Sequence, residues 1–255
     1  MIDALYISAT GLRSQQEQID VISNNVANMQ TPGFKKSRVN FAEMTGVQQT
    51  SDTLATAPQF NGDGTRILST LPVFSEGELR ATQNATDMAI EGNGFFELEN
   101  EAGEKFYTRA GQFRVDGEGF LVNVNGMRLA QGVQIPADAR ELRISATGEV
   151  SALLGSDNER SQIAELELAT FASPDSLTAM GSNMYSPTEA SGLATMGKPG
   201  DTGFGRLQQG YLEMANVDMI DEMSGLVMAQ RAYQLNARVL QAADQILETI
   251  NNLRR

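Results

Sequence analysis

The spacing nearest to a reactive site in this sequence is Gly192-Leu193-Ala194-Thr195-Met196-Gly197-Lys198-Pro199, the G-x-x-x-x-G-K order of a phosphate-cradling loop. Such a loop needs Ser or Thr after the lysine, because that hydroxyl ligates the nucleotide's magnesium, and Pro199 has none. The lysine should also open a helix, yet Pro-Gly-Asp-Thr-Gly follows, a run that breaks one. The carboxylate pairs Glu97/Glu99 and Asp116/Glu118 sit at strand alternation, so each pair shares one face, as solvated strands do. Asp116-Gly117-Glu118-Gly119 does not continue into the alternating oxygen ligands of a calcium loop. His, Cys and Trp are absent from all 255 residues. That removes the usual general base, thiol chemistry, disulfides and the commonest metal ligands, and leaves any serine without an activating imidazole. No catalytic residue, cofactor or metal site is expected, and the chain does not read as an enzyme.

Charge narrows the partners. The net charge is −13. The first 45 residues hold four acidic and four basic side chains and the last 45 hold six and four, so eleven of the thirteen net negative charges lie between. An acidic body with near-neutral, apolar ends repels phosphate backbones, so no nucleic-acid partner is expected. No apolar run approaches roughly 18 residues, so no membrane insertion is expected. Met1-Ile2-Asp3 places an acid where a basic leader would begin, so no cleaved signal peptide is expected.

The ends carry the strongest periodicity. Leu5, Leu12, Ile19 and Val26 recur every seven residues, beside Ile2, Ala9, Ile22 and Met29. Near the other end Met228, Ala232, Leu235, Val239, Ala242, Ile246, Ile250 and Leu253 step by three and four. A second stripe of Met219, Met223, Leu226, Tyr233, Ala237, Leu240 and Leu247 runs beside it. Both patterns predict helices near coiled-coil spacing, and two stripes on one helix demand burial on several sides. The first helix is expected to end near Ser23–Asn28, before the break at Thr31-Pro32-Gly33. The simplest arrangement pairs the two terminal helices; two separate helices capping one core would satisfy the same pattern.

Between them, Phe34–Phe41 reads as a short strand with a basic face. Gln48–Gly64 reads as loop, and Ile67–Phe74 as an edge strand because of Pro72. From Asp87 onward short apolar runs alternate with Gly92-Asn93-Gly94, Asp116-Gly117, Asn125-Gly126 and Thr147-Gly148, which predicts a small antiparallel β sandwich or barrel. Ile163–Phe171 alternates as one half-buried strand, and residues 173–206 read as loop. The expected fold class is α+β, with the terminal helices pairing as a coiled-coil stalk around a central, mainly antiparallel β domain. The divisions would be 1–34 with 211–255 as the helical core domain, 35–80 as an extended β linker and 81–210 as an outer β domain.

Several stretches resemble the bacterial flagellar rod and hook proteins. At the N-terminal end these are Gly11-Leu12 with Gln15-Gln16, Ile22–Asn28, and Thr31-Pro32-Gly33-Phe34-Lys35. At the other end they are Gln209-Gly210-Tyr211-Leu212-Glu213, Asn216-Val217-Asp218, and Gln230-Arg231-Ala232-Tyr233 with Asn236. In the middle they are Gly92-Asn93-Gly94-Phe95-Phe96 and Tyr107-Thr108-Arg109-Ala110-Gly111 with Phe113. The length and the Gln-Arg-Ala-Tyr version are similar to the distal-rod members; the stretch Gly46–Gly64, linked in the family to rod stiffness, is shorter here.

The resemblance implies a subunit of a hollow axial tube, a helical homopolymer that transmits torque from motor to hook. It would leave the cell by the flagellar export apparatus without a cleaved signal. Its neighbours would be adjoining rod and hook subunits and the surrounding basal-body rings. Leu5, Leu12, Ile19 and Val26 would pack against Leu235, Leu240 and Ile246 along the tube axis. Asn24 and Asn25 would turn the chain outward, Gly33 would permit the bend and Phe34 would anchor it. Asn216, Val217, Gln230, Arg231 and Tyr233 would join the assembly interface, with Arg231 needing an acidic or carbonyl partner across a subunit boundary. A proximal rod or hook protein, a β-domain binding protein oligomerised by its helices, and an enzyme sited in the β domain are the rival readings.

Overall fold

The computed structural model describes residues 2–48, 59–100, 102–154 and 159–253. The chain divides into two units, crossing between them four times: Met1–Ala27, Ser37–Leu71 and Asp218–Arg255 form one, Asn28–Lys36 and Pro72–Val217 the other.

The first unit is built on α1 (Ile2–Ala27) and α2 (Met219–Leu253), with strands β1 (Ser37–Gln48) and β2 (Gln59–Pro72) paired beside them. α1 stops at Ala27, within the expected Asn-rich stretch. α2 begins where Asp218 caps it: the Asp218 Oδ1 accepts the amides of Ile220 at 2.8 Å and Asp221 at 3.3 Å. The first-turn acids Asp221 and Glu222 add favourable charge at the positive end of the helix dipole. The two helices pack on each other with falling residue numbers opposite rising ones. Gly11 faces Asn236, Ile22 faces Gly225, and Asn25 Nδ2 donates to Glu222 Oε2 at 3.2 Å, an antiparallel register. β2 begins at Gln59, inside the stretch expected as loop, while residues 49–58 lie outside the described residues. It runs against α1, with Ser14 Oγ 3.1 Å from Thr65 Oγ1.

The second unit is all short antiparallel strands. Its largest sheet has seven, in the order Thr178–Gly181, Met184–Ser186, Lys105–Thr108, Phe96–Glu99, Arg128–Leu129, Leu121–Asn123 and Phe113–Val115. A three-stranded sheet (Ala139–Ile144, Glu149–Leu154, Glu159–Glu165) and three two-stranded pairs complete it. Strand alternation on Phe95–Leu98 separates two cores. Phe95 packs with Tyr107, Leu177 and Tyr185, while Phe96 and Leu98 pack with Met88, Ile90, Phe113, Leu121 and Leu168. A strand buried on both faces explains why this run is so aromatic.

Two expected elements differ. Ile163–Phe171 is two strands, not one, because Glu159–Glu165 pairs with Glu149–Leu154 while Leu168–Thr170 joins Thr195–Gly197 in another sheet. Residues 173–206, expected as loop, contain strands Thr178–Gly181, Met184–Ser186 and Thr195–Gly197. Their pairing is long-range, as in Tyr185 opposite Tyr107, so no local alternation announces them.

Candidate assembly face and buried ionic cluster

On α2 the side toward α1 lies between the two apolar stripes, and Met219, Met223 and Tyr233 of the second stripe are exposed. Leu226, Ala237, Leu240 and Leu247 are half-buried and Ala229 is buried, on the side toward α1. The other stripe is uncovered in the single chain: Met228 is 69 % exposed, Leu235 60 % and Ile246 50 %, with Val239 and Ile250 close behind. The seam between the helices uses small and polar residues. A Cβ on Gly11 would come within 2.8 Å of Asn236 Nδ2, so the helices approach closely there because position 11 has no side chain. Leu5, Leu12, Ile19 and Val26 are half-buried on α1. Gln230, Arg231 and Tyr233 are exposed, and among the described residues Arg231 makes no ion pair. Asn24 is exposed within α1. Asn25 is buried and ties the start of β1 to the helix end, accepting the Ser37 amide at 2.9 Å and donating to the Ser37 carbonyl at 3.0 Å.

The residues Gly33 to Asn216 build a different site, inside the second unit. Lys35 and Glu213 are wholly buried and joined Nζ to Oε1 at 2.6 Å. The same ammonium donates to the Ser75 carbonyl at 2.6 Å, and Glu213 Oε1 also accepts the Gly77 amide at 3.0 Å. Arg109 is the third member. Its Nε stands 3.7 Å from Glu213 Oε2, its Nη2 donates to the Gly92 carbonyl at 2.8 Å, and its guanidinium lies over the Phe95 ring at 5.7 Å. Two buried cations thus share one buried carboxylate. Burial pushes both the Lys35 ammonium and the Arg109 guanidinium below their ordinary pKa values, and the Glu213 charge resists the shift. Removing Glu213 would leave both without their nearest carboxylate.

Asn216 extends the cluster: its Oδ1 accepts the Lys36 amide at 2.8 Å and its Nδ2 donates to the Val73 carbonyl at 2.8 Å and to Ser75. Gly33 donates its amide to the Glu213 carbonyl at 2.8 Å, at φ +71°, with a Cβ there only 2.5 Å from the Ala110 backbone. Only glycine fits that bend. Phe34 and Val217 are half-buried.

The other candidate chemistry is occupied by structural contacts. Lys198 follows the strand Thr195–Gly197, opens no helix, and pairs with Glu165 at 2.6 Å. Asp116 and Glu118 both turn to Arg128, at 3.8 Å and 2.6 Å. Glu97 is not on a solvated face: it is buried, 2.9 Å from Lys105 Nζ and 3.4 Å from the Tyr107 hydroxyl. Reading period alone missed this, because a strand with two buried faces gives an acid no outer side. Among the described residues no three His, Cys, Asp or Glu side chains converge as a metal site, and no helix there is long and apolar enough to cross a membrane.

The residues that carry the family resemblance in sequence are the ones the fold gathers: Lys35, Gly92, Arg109, Glu213 and Asn216 lie in one buried network. Sequence reading named them as motif pieces without seeing that they meet, and no local signal marks them, since Lys35 is followed by Lys36 and Arg109 follows Thr108. Comparison with known proteins points the same way. The pattern for the flagella basal body rod protein matches residues 5–35, that for the flagellar hook protein FlgE/F/G D1 domain residues 89–152, and that for the flagellar basal body rod FlgEFG protein C-terminal residues 208–253. The flagellar basal-body rod protein FlgG of Borreliella burgdorferi is 37 % identical over the full length of both chains. The FlgG of Caulobacter vibrioides is 37 % identical over 99 % of this chain and all of its own, and that of Bacillus subtilis 36 % over all of both. With matches at both ends and in the middle, and full-length relatives above a third identity, the chain belongs to the flagellar rod and hook protein family, on its FlgG side.

Proposed function

We propose that this protein is a structural subunit of the flagellar basal-body rod, in its distal part. It polymerises into a hollow shaft that carries torque from motor to hook. The observation that carries the reading is the uncovered stripe of α2, Met228, Leu235, Val239, Ile246 and Ile250, on a helix whose adjoining side already packs on α1. An apolar surface that long is stable in water only when another surface covers it. Repetition of the same pair of helices around an axis supplies one, because each copy offers a stripe and needs a partner for it. On this reading the terminal helices form the inner coiled-coil layer, with Leu5, Leu12, Ile19 and Val26 joining Leu235, Leu240 and Ile246 in contacts within and between copies. Arg231 meets an acid or carbonyl of the next subunit, and neighbouring rod and hook subunits and the surrounding rings are the other partners. The curated relatives named as rod proteins support the same role. The role is mechanical and asks for no catalysis.

The test is replacement of Leu235 by Asp in a cell whose only copy of the gene carries the change. Leu235 is already exposed in the single chain, so the variant folds and is expected to give no rods and no swimming. Rods and normal swimming would sink the assignment of this face. Purified wild-type chain that forms only a discrete small oligomer at every concentration would favour a helix-tethered binding protein instead.

A further inference from the structure

We propose that the Lys35–Glu213–Asn216 network is a mechanical clamp, which gathers the ends of all four chain crossings between the two units into one cooperative knot inside the second. The proposal rests on the rod reading for its biological purpose, and on geometry for the knot itself. The chain enters or leaves the second unit at 27/28, 36/37, 71/72 and 217/218. Each of those ends is laced to the others within a few residues. After the first crossing, Gly33 donates to the Glu213 carbonyl at 2.8 Å. Before the second, Lys35 binds Glu213 and Ser75, and Lys36 donates to Asn216 while accepting the Val73 amide at 2.9 Å. After the third, Val73, Ser75 and Gly77 are held by Lys36, Lys35, Asn216 and Glu213. Before the fourth, Met214 donates to the Glu78 carbonyl at 2.8 Å and Asn216 closes the ring.

A force arriving along any one crossing is therefore shared by three chain segments instead of peeling one strand from an edge. Burial makes the Lys35–Glu213 centre of the knot all-or-none, with Asn216 closing it at a half-buried rim. With no water to replace a lost partner, Lys35 or Glu213 cannot be released alone. Arg109 adds opposite charge from a fourth segment, 3.7 Å from Glu213 without a hydrogen bond to it. A solvent-facing tie of the same size would loosen bond by bond.

Amide hydrogen exchange of the full-length chain tests this. The Gly33, Lys36, Val73, Gly77 and Met214 amides should exchange in the same slow class as the core amides of Leu121 and Ala169, which bond Val133 and Phe95. Lys35→Met should speed all five together by about 100-fold while Leu121 and Ala169 keep their rates. Fast exchange of the five in the wild type, or loosening confined to residues touching position 35, would overturn the clamp. Where Lys35→Met loosens the core as well, Asn216→Ala decides. It must speed Gly33 and Gly77, which Asn216 does not touch, and a response limited to Lys36 would overturn the proposal. In cells, Asn216→Ala should build rods and swim in dilute medium, then slow several-fold more than wild type as viscosity rises. If deleting the gene leaves swimming intact, the rod reading fails while the exchange result still judges the knot.

Discussion

Tyr185 shows how far the surroundings of one buried side chain reach. It packs edge-on to Phe74 at 4.9 Å, and burial first, then the nearby Glu213 charge, raises its hydroxyl to a pKa of about 12. The unfolded tyrosine ionises near its ordinary value of about 10. The folded state therefore holds its proton more tightly, so the stabilisation is complete below pH 10 and is lost as pH rises from 10 to about 12. The rise from 10 to about 12 corresponds to about 3 kcal/mol. Lys35 works in the opposite sense, since its lowered pKa makes folding more favourable as pH climbs toward its unfolded value. Urea midpoints of wild type and Tyr185→Phe compared at pH 9 and pH 11.5 isolate the tyrosine. The wild type should lose stability relative to the variant across that interval, and parallel midpoints would mean the hydroxyl is not held neutral by this pocket. Gly33→Ala is the steric counterpart. At φ +71°, with a Cβ 2.5 Å from the Ala110 backbone, it should cost about 2–4 kcal/mol of second-unit stability in the same titration.

At the scale of elements, Gly11 separates helix propensity from helix packing. Alanine there gains about 1 kcal/mol of intrinsic preference and meets only the flexible amide of Asn236, which can swing aside. Leucine has nowhere to go. Gly11→Ala should therefore keep or slightly raise helicity by circular dichroism and still assemble, whereas Gly11→Leu should keep its helices yet fail to sediment as polymer. Equal assembly by both would mean that α1 and α2 need not touch at this level. The helices were legible in the sequence because each displays its own period, and so were the hairpin turns. Asp116-Gly117, Asn125-Gly126 and Thr147-Gly148 all lie at strand reversals, as the Gly119, Gly126 and Gly148 amides folding back on Asp116, Asn123 and Ser145 record. The ionic cluster was not legible. Lys35, Arg109 and Glu213 are far apart in the chain, and each reads alone as a surface charge until the fold brings them together. The strands between Thr178 and Gly197 were hidden for a related reason: their partners are remote and their Gly, Ser, Thr and Met residues show no alternation.

For the whole molecule, the two units should differ in how much each depends on company. The second has two apolar cores and a buried ionic network whose charges are paired within one chain. The first joins its helices through Ser8, Gly11, Ile22, Asn25, Gly225, Ala229 and Asn236, which bury little apolar surface for their length, and turns its larger side chains outward. Isolated helices gain most of their stability from packing of an apolar face, and here that face is uncovered. Dilute chain should therefore open first in its helical unit. Brief digestion followed by mass measurement should remove about the first 27 and last 38 residues and leave a resistant body within 28–217. After assembly the same sites should be protected, because neighbouring copies then cover Leu235, Ile246 and their stripe. Protection of the helices already complete in dilute monomer would mean that the α1–α2 seam suffices by itself. The outward stripe would then be a docking face for a preformed partner, and folding would no longer be coupled to polymerisation.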